Sequence, residues 1–180
     1  DGRDVTYVVT SKVTNMEKLF YNELVIGDIT RWDVSNVNFM DMMFMNSDFN
    51  QSIGSWDVSN VTTMKQMFSG SNFNRPISNW NVSNVTNMEF MFYETPFNRY
   101  VGDWDVSNVT NMRGLFYNAP FNGDIRNWDV SSVTIMDSMF HGSNFNNVIL
   151  DWDVSNVTSM ANLFAQTPFM QNISEWDVSN

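Results

Sequence analysis

The sequence contains no cysteine, which excludes disulfide bonds, thiolate zinc sites and cysteine nucleophiles. It has a single histidine, and its nine basic residues are outnumbered by twenty acidic ones, giving a formal net charge of −11. A nucleic-acid partner requires clustered lysine and arginine, and an acidic protein is repelled by anionic membranes. No apolar run approaches the roughly 18 residues of a membrane span. We therefore expect no nucleic-acid partner and no direct membrane insertion.

What the sequence does contain is a repeat, marked by seven tryptophans at a constant interval of 24 residues. They are Trp32, Trp56, Trp80, Trp104, Trp128, Trp152 and Trp176. A fixed period of this length is typical of a solenoid, in which each repeat buries its apolar face against its neighbours. We expect residues 1–180 to form one repeat domain of about seven coils, as a segment of a longer array. Residues 1–30 would be a degenerate first coil or cap.

Apolar residues recur at fixed offsets from each tryptophan, and their spacing predicts the local structure. In the repeat that begins at Trp80 they are Val82, Val85, Met88, Met91, Phe92, Phe97 and Val101. The phrase Trp-Asp-Val-Ser alternates apolar and polar residues, which predicts a short strand with tryptophan and valine facing inward. From the second valine the spacing becomes three and four, which predicts a helix of about two turns. A threonine six residues after the tryptophan, as in the Thr86 and Glu89 pair, predicts the helix N-cap.

These elements together predict an α/β solenoid of 24-residue coils, with short parallel strands on one face and short helices on the other. The methionines are expected to fill the core. An asparagine also recurs eighteen residues after the tryptophan, at Asn50, Asn74, Asn98, Asn122 and Asn146. Stacked asparagine side chains can satisfy backbone groups of turns. We interpret these residues as a structural ladder.

The repeated phrase also resembles that of a known family. Trp-Asp-Val-Ser-Asn-Val-Thr-Asn-Met, from Trp104 to Met112, and the Met-Phe and Phe-Asn pairs that follow it are similar to the repeat of BspA-like leucine-rich-repeat surface proteins of bacteria, the DUF285 type. The resemblance covers essentially the whole chain except the first coil, where Val8 replaces tryptophan. It implies a right-handed, leucine-rich-repeat-like coil and a secreted or surface-anchored protein. It also implies adhesion and protein contact rather than catalysis.

A first candidate binding site is the row of residues that follow the tryptophans, together with the serines two positions further on. This row consists of Asp33, Asp57, Asn81, Asp105, Asp129, Asp153 and Asp177 with Ser35, Ser59, Ser83, Ser107, Ser131 and Ser155. On a strand face the carboxylates would point outward, and stacked like charges repel one another. Solvent screening and hydrogen bonds from the serines would offset that repulsion. The functional alternatives are a basic protein partner and Ca²⁺, although calcium prefers six to eight oxygens.

A second candidate surface is apolar and lies at variable positions of the predicted helices. It contains Phe39, Met42, Met45, Phe90 and Tyr93. An exposed apolar patch indicates contact with another domain or subunit.

Catalytic patterns are absent from the sequence. His141 stands alone in a variable position, and carboxylates recur only as the row described above, so no acid and base of different character are paired. We expect no enzymatic activity and no cofactor.

The favoured function is a secreted or cell-surface module that binds a protein or a surface glycan through its strand face. The alternatives are a structural spacer or a filament-forming scaffold, with end-to-end self-association through exposed strand edges. An ice- or calcium-binding solenoid is a minor alternative.

Overall fold

The fold is taken from a computed structural model that describes residues 5–6, 8–25 and 27–179. These residues form a stack of 24-residue coils that we number from the tryptophan position. Coil 1 spans 8–31, with Val8 in that position, and coils 2 to 7 begin at the first six tryptophans. The coil that starts at Trp176 is described only as far as Ser179. Residues 1–4, 7 and 26 of the predicted first coil or cap lie outside the described residues.

Neither helices nor multi-residue strands occur in the described residues. The pairing of each coil with the next instead includes one isolated parallel bridge, at the residue seven positions after the tryptophan position. The bridge residues are Asn15, Phe39, Thr63, Asn87, Asn111, Ile135 and Ser159. The strand predicted at Trp-Asp-Val-Ser and the two-turn helix predicted after it are therefore not formed, and the α/β description is not confirmed.

Backbone pairing between coils replaces the predicted helix. In coil 4, Phe90 has φ 54° and Glu94 has φ 52°, whereas a right-handed helix requires φ near −63°. Every second amide donates to the next coil: those of Met88, Phe90, Phe92 and Glu94 bond the carbonyls of Asn111, Arg113, Leu115 and Tyr117 at 2.8–3.0 Å. The intervening amides close tight turns within the coil, as from Met91 to the Met88 carbonyl at 3.1 Å. A two-turn helix would leave its first four amides without partners, whereas this run of turns satisfies each of them.

The threonine predicted as an N-cap links coils instead. The Thr86 amide and hydroxyl both donate to the carbonyl of Thr62, at 2.9 and 3.2 Å. The same pair of bonds joins Thr110 to Thr86. The N-cap prediction is wrong because no helix begins there.

The asparagine ladder is confirmed. The amide of Asn74 donates to Oδ1 of Asn50 at 3.0 Å, and the bond recurs at each following coil. The last bond of the ladder runs from the Met170 amide to Asn146 at 3.0 Å.

The core is a ladder of aromatic rings filled in by methionine and valine. Phe44, Phe68, Phe92, Phe116 and Phe140 stack from coil to coil with ring centroids 5.6–6.0 Å apart. Each also stacks on the second phenylalanine of its own coil at 3.7–4.0 Å. The methionines eight residues after Trp32, Trp56, Trp80, Trp104 and Trp128 are fully buried. The predicted 24-residue repetition and the structural role of these methionines are thus confirmed.

Candidate functional site

The Asp edge, as we call the row from Asp33 to Asp177 with Asn81 in coil 4, is a series of turns. Every one of these side chains is exposed. In each, Oδ1 accepts a hydrogen bond at 3.0–3.1 Å from the amide of the serine two residues later. From Ser35 to Ser155 the serine hydroxyl donates to the same atom at 2.6–2.7 Å. Such local bonds are typical of turns that compete with regular strands.

Those hydrogen bonds also account for the density of charge along the Asp edge. The serine hydroxyl and then the serine amide lower the pKa of five carboxyls in the row, those of Asp33, Asp57, Asp129, Asp153 and Asp177. The neighbouring carboxylates raise the pKa values of Asp57 and Asp129, but less strongly. Local hydrogen bonds therefore favour the ionised form of these five carboxyls.

Other side chains of this edge connect one coil to the next. The indole N–H of Trp104 donates to the carbonyl of Ile77 at 3.1 Å, and all seven tryptophans make this bond at 3.0–3.3 Å. The Asn108 side chain donates to the carbonyl of Ser83 at 2.7 Å. The side chains of this edge are therefore part of the fold itself. In the part of the chain that the structure describes, no three His, Asp or Glu residues gather into a potential metal site.

The turn face, which we define as the residues 7 to 14 positions after each tryptophan position, behaves differently. There a run of backbone hydrogen bonds joins each coil to the next, and in some coils an aspartate at offset 9 adds side-chain bonds, as Asp41 does with Thr63 and Lys65. Side chains at several of these offsets differ from coil to coil, as at offset 13 with Met45, Ser69 and Tyr93. Side chains such as those at offset 13, which vary without breaking the contacts between coils, are available to contact another molecule.

The predicted apolar patch is brought together only in part. Met45, Phe90 and Tyr93 line one depression of about 290 Å³, which crosses the small and polar residues of coil 3. The rest of its lining is Asn46, Gln66, Ser69, Gly70 and Glu94. Phe39 lies in the bridge row with 44% of its surface exposed, and Met42 is half-buried. Neither of these two residues lines the depression.

An aromatic row extends from this depression across three coils, and the patch prediction named only its first two members, Phe90 and Tyr93. We define it as Phe90, Tyr93, Tyr117 and His141, all half-buried. The ring of Phe90 meets Tyr93 edge to face at 5.5 Å, Tyr93 stacks on Tyr117 at 5.0 Å, and Tyr117 stacks on His141 at 4.5 Å. Tyr93, Tyr117 and His141 are 24 residues apart, so the period alone could have identified the row.

Gly114 makes room for the first ring of the aromatic row. It has φ 57°, and a Cβ at this position would lie 2.1 Å from Cε1 of Phe90. Six residues at the same offset, Ser138 among them, carry a side chain at φ 54–58°, so the position of the Phe90 ring, rather than the backbone conformation, favours glycine here. The hydrogen bond between Tyr93 and Glu94 raises the pKa of the tyrosine.

Ion pairs lie beside the aromatic row and also join neighbouring coils. Lys65 contacts Glu89 at 2.8 Å, and Arg113 contacts Asp137 at 2.6 Å. Burial acts to raise the pKa of Asp137, but hydrogen bonds from Ser159, Arg113 and the Ala161 amide outweigh it and lower the pKa. A second depression of about 310 Å³ lies on this side of the row, lined by Phe90, Arg113, Tyr117, Asp137, Ser138, Ala161 and Asn162.

Fold and sites together define a repeat protein whose coils stack through tryptophan and phenylalanine ladders. The family described as Mycoplasma protein of unknown function, DUF285, matches residues 2–99 and 94–180, and the chain belongs to this family. No curated protein and no solved structure is significantly similar to it. This match does not by itself confirm a relation to the BspA-like leucine-rich-repeat proteins. Within the described residues, no helix has the length and apolar character that crossing a membrane requires.

Proposed function

We propose that this chain is a non-enzymatic binding module of a secreted or cell-surface protein, and that it contacts a partner protein through the aromatic row. The observation that carries the proposal is the break in symmetry on the turn face. Three coils in succession place an aromatic ring at offset 13, while the same offset holds Ser69 on one side and Ala165 on the other. Binding sites need such local differences, whereas a uniform spacer does not.

The chemistry of this surface favours a protein partner over a glycan. Tyrosine and arginine are enriched at the energetically dominant positions of protein interfaces, and Tyr93, Tyr117 and Arg113 lie together here. The two flanking depressions of about 290 and 310 Å³ can each receive a single side chain. The exposed carboxylate of Glu94 borders the row, which suits a partner with basic or hydroxyl-bearing side chains.

The Asp edge is retained as the alternative contact, with a basic partner laid along it. Its uniformity and the hydrogen bonds already made by each Oδ1 argue for a structural role. The extracellular location and the relation to BspA-like proteins rest on the resemblance of the repeated phrase. A right-handed, leucine-rich-repeat-like coil remains a proposal, supported by the 24-residue period and the parallel pairing of neighbouring coils.

Titration of the 180-residue chain over immobilised fibronectin, laminin, collagen and mucin glycans tests the proposal. We expect saturable binding to at least one of the proteins and a loss of at least tenfold in affinity for Y93A/Y117A. The variant Y100A, at an exposed tyrosine outside the row, is the matched control and should bind as the parent chain does. Saturable binding to the glycans alone would replace the protein partner by a carbohydrate. An absence of binding to every probe would contradict the proposal.

A further inference from the structure

The aromatic row stops short of coil 3, and the end of the row leaves a slot. Tyr117 covers one face of the Tyr93 ring at a centroid distance of 5.0 Å. On the opposite side the neighbouring coil has Ser69 at the offset of the rings, followed by Gly70. Coil 2 has a long side chain again at this offset, that of Met45. The slot, as we call the depression of about 290 Å³, is lined by Tyr93 and Met45 and by the two small residues between them.

The width of the slot matches one planar group. Rings on neighbouring coils of the aromatic row have their centroids 4.5–5.0 Å apart, so a group midway between Tyr93 and Met45 lies about 5 Å from each. A flat group at that distance continues the stack of His141, Tyr117 and Tyr93 by one member. Sites for drug-sized ligands usually have volumes of about 300–1,000 Å³, so the slot is suited to a single side chain.

The polar groups of the slot favour a planar cation over a neutral ring. The hydroxyl of Tyr93 donates a hydrogen bond to Glu94, which holds the exposed carboxylate at the edge of the slot. A Cβ at Gly70 would collide with Oδ1 of Asn46, so this amide oxygen lies over the glycine. Carboxylate and amide oxygens accept hydrogen bonds, and the face of a tyrosine ring attracts a positive charge.

An arginine side chain combines the required properties. Its guanidinium is planar, permanently charged and rich in donors, and it stacks on aromatic rings, whereas the ammonium of lysine is a compact and more strongly hydrated charge. Within the described residues, Glu94 belongs to none of the ion pairs. A net charge of −11 also favours the approach of a cation.

The ring and the carboxylate of the slot are not needed for the stacking of coils. In coil 7 the same two offsets hold Ala165 and Gln166 in place of Tyr93 and Glu94. The backbone is nevertheless alike, with φ 58° at Gln166 and 52° at Glu94. The fold therefore forms without these two side chains, which leaves both of them available to a ligand.

We propose that the slot receives the guanidinium of an arginine side chain of the partner protein. The inference rests on the proposed function, because it names the side chain that the partner places against the aromatic row. The guanidinium lies flat between Tyr93 and Met45, and its N–H groups donate to the Glu94 carboxylate and to Oδ1 of Asn46.

Titration of the 180-residue chain with three blocked tripeptides, followed by NMR, tests the proposal without any matrix protein. The peptides have arginine, citrulline or lysine between two glycines, and citrulline has the shape of arginine without its charge. We expect the arginine peptide to shift the amide resonances of Gly70 and Glu94 saturably at millimolar concentrations. The citrulline and lysine peptides should bind at least about threefold more weakly, since each lacks the charge or the planar shape.

Variants of the slot are matched by equivalent changes elsewhere. S69Y places a ring in the slot, and the fold accepts tyrosine at this offset in Tyr21, Tyr93 and Tyr117. We expect S69Y to weaken binding of the arginine peptide by at least tenfold. A165Y adds the same ring at the same offset of coil 7 and should bind as the parent chain does.

A second pair of variants tests the charge alone. E94Q keeps the shape of the slot and should weaken binding about threefold to fivefold, the range for one exposed ion pair. Glutamine is already accepted at this offset, in Gln166. E175Q removes one charge from an exposed glutamate outside the slot and should change the affinity by less than twofold.

Four outcomes would overturn the proposal. They are an arginine peptide that binds no more tightly than the citrulline or lysine peptide, unchanged binding by S69Y or E94Q with the fold intact by circular dichroism, shifts confined to the Asp edge, and no shift up to about 50 mM peptide. A chain that binds a matrix protein but fails these tests would overturn the arginine assignment alone. A chain that passes them but binds no matrix protein would overturn the proposed function alone.

Discussion

The Asp edge and the turn face differ in which part of the chain makes the contacts between coils. Beside the Asp edge, side chains connect neighbours in coil after coil, as in the Trp104 indole bond to Ile77 and the Asn108 bond to Ser83. On the turn face the backbone joins each of coils 1 to 6 to the next, as in the Phe92 amide bond to the Leu115 carbonyl, and side chains add bonds only in some coils, as at Asp137. A coil can therefore change an outward turn-face side chain, such as that at offset 13, and keep its neighbours, whereas Trp104 and Asn108 beside the Asp edge are needed for the bonds between coils. We infer that the edge is uniform for structural reasons, while the turn face can carry specificity.

The largest difference between the two regions should appear on conservative ring substitutions. Trp104→Phe removes the indole donor from the buried Ile77 carbonyl and leaves a cavity, so we expect a loss of about 2–4 kcal/mol in the free energy of unfolding. Tyr117→Phe on the turn face keeps the stacked ring and should change it by less than about 0.5 kcal/mol. Urea unfolding measures both, and equal losses would contradict the assigned roles.

A packing constraint within the turn face should have the next largest effect. Gly114→Ala places a Cβ against the Phe90 ring, 2.1 Å from its Cε1, so we expect a loss of about 1–3 kcal/mol from overpacking. Ser138→Ala is the matched control, since Ser138 lies at the same offset with φ 55° and already carries a Cβ. It should change stability by less than about 0.5 kcal/mol. If both variants lose the same amount, the space occupied by Phe90 is not the cause.

Acidification should weaken the Asp edge, in addition to other carboxylates with a lowered pKa such as Asp137. Serine hydrogen bonds lower the pKa values of Asp33, Asp57 and Asp129 in the folded chain. Their stabilisation is complete above the unfolded pKa of about 3.9 and is lost as the pH falls through the folded values. We expect the free energy of unfolding to fall as pH drops from about 5 to about 2. D33N/D57N/D129N should show a shallower slope, and an unchanged slope would assign the acid sensitivity elsewhere.

The smallest effect should be that of a single neutralised carboxyl. Asn81 already occupies this row and accepts the same two bonds from Ser83, at 3.1 and 2.7 Å. Asp129→Asn should therefore shift the free energy of unfolding by no more than about 0.5 kcal/mol. Ser131→Ala removes a hydroxyl donor from Asp129 and should lose about 0.5–1.5 kcal/mol. Thermal unfolding ranks the pair, and the reverse order would show that charge matters more than the hydrogen bond.

The regular features of the molecule could be predicted from the sequence because they repeat. The 24-residue interval, which is read from the tryptophans, predicts the buried methionines and the ladder that begins at Asn50. The same interval relates Tyr93 to Tyr117, although the patch prediction did not use it.

The run of turns that stands in place of the predicted helix could not be predicted in the same way. Met88, Met91 and Phe92 have helical spacing, but a run of turns buries the same three residues. Nothing in the residue type of Phe90 or Glu94 marks a left-handed backbone. Pairing with the next coil selects that conformation over the locally preferred one, and single-repeat patterns do not contain this information.

The central claim, that the turn face carries specificity and the Asp edge carries structure, is tested most directly by a paired binding measurement. Y93A/Y117A and D57N/D105N/D129N/D153N would be titrated against whichever immobilised matrix protein the parent chain binds. The account predicts at least a tenfold loss of affinity in the tyrosine variant and less than a twofold change in the aspartate variant. Loss in the aspartate variant alone, with its fold intact by circular dichroism, would contradict it and make the Asp edge the binding surface.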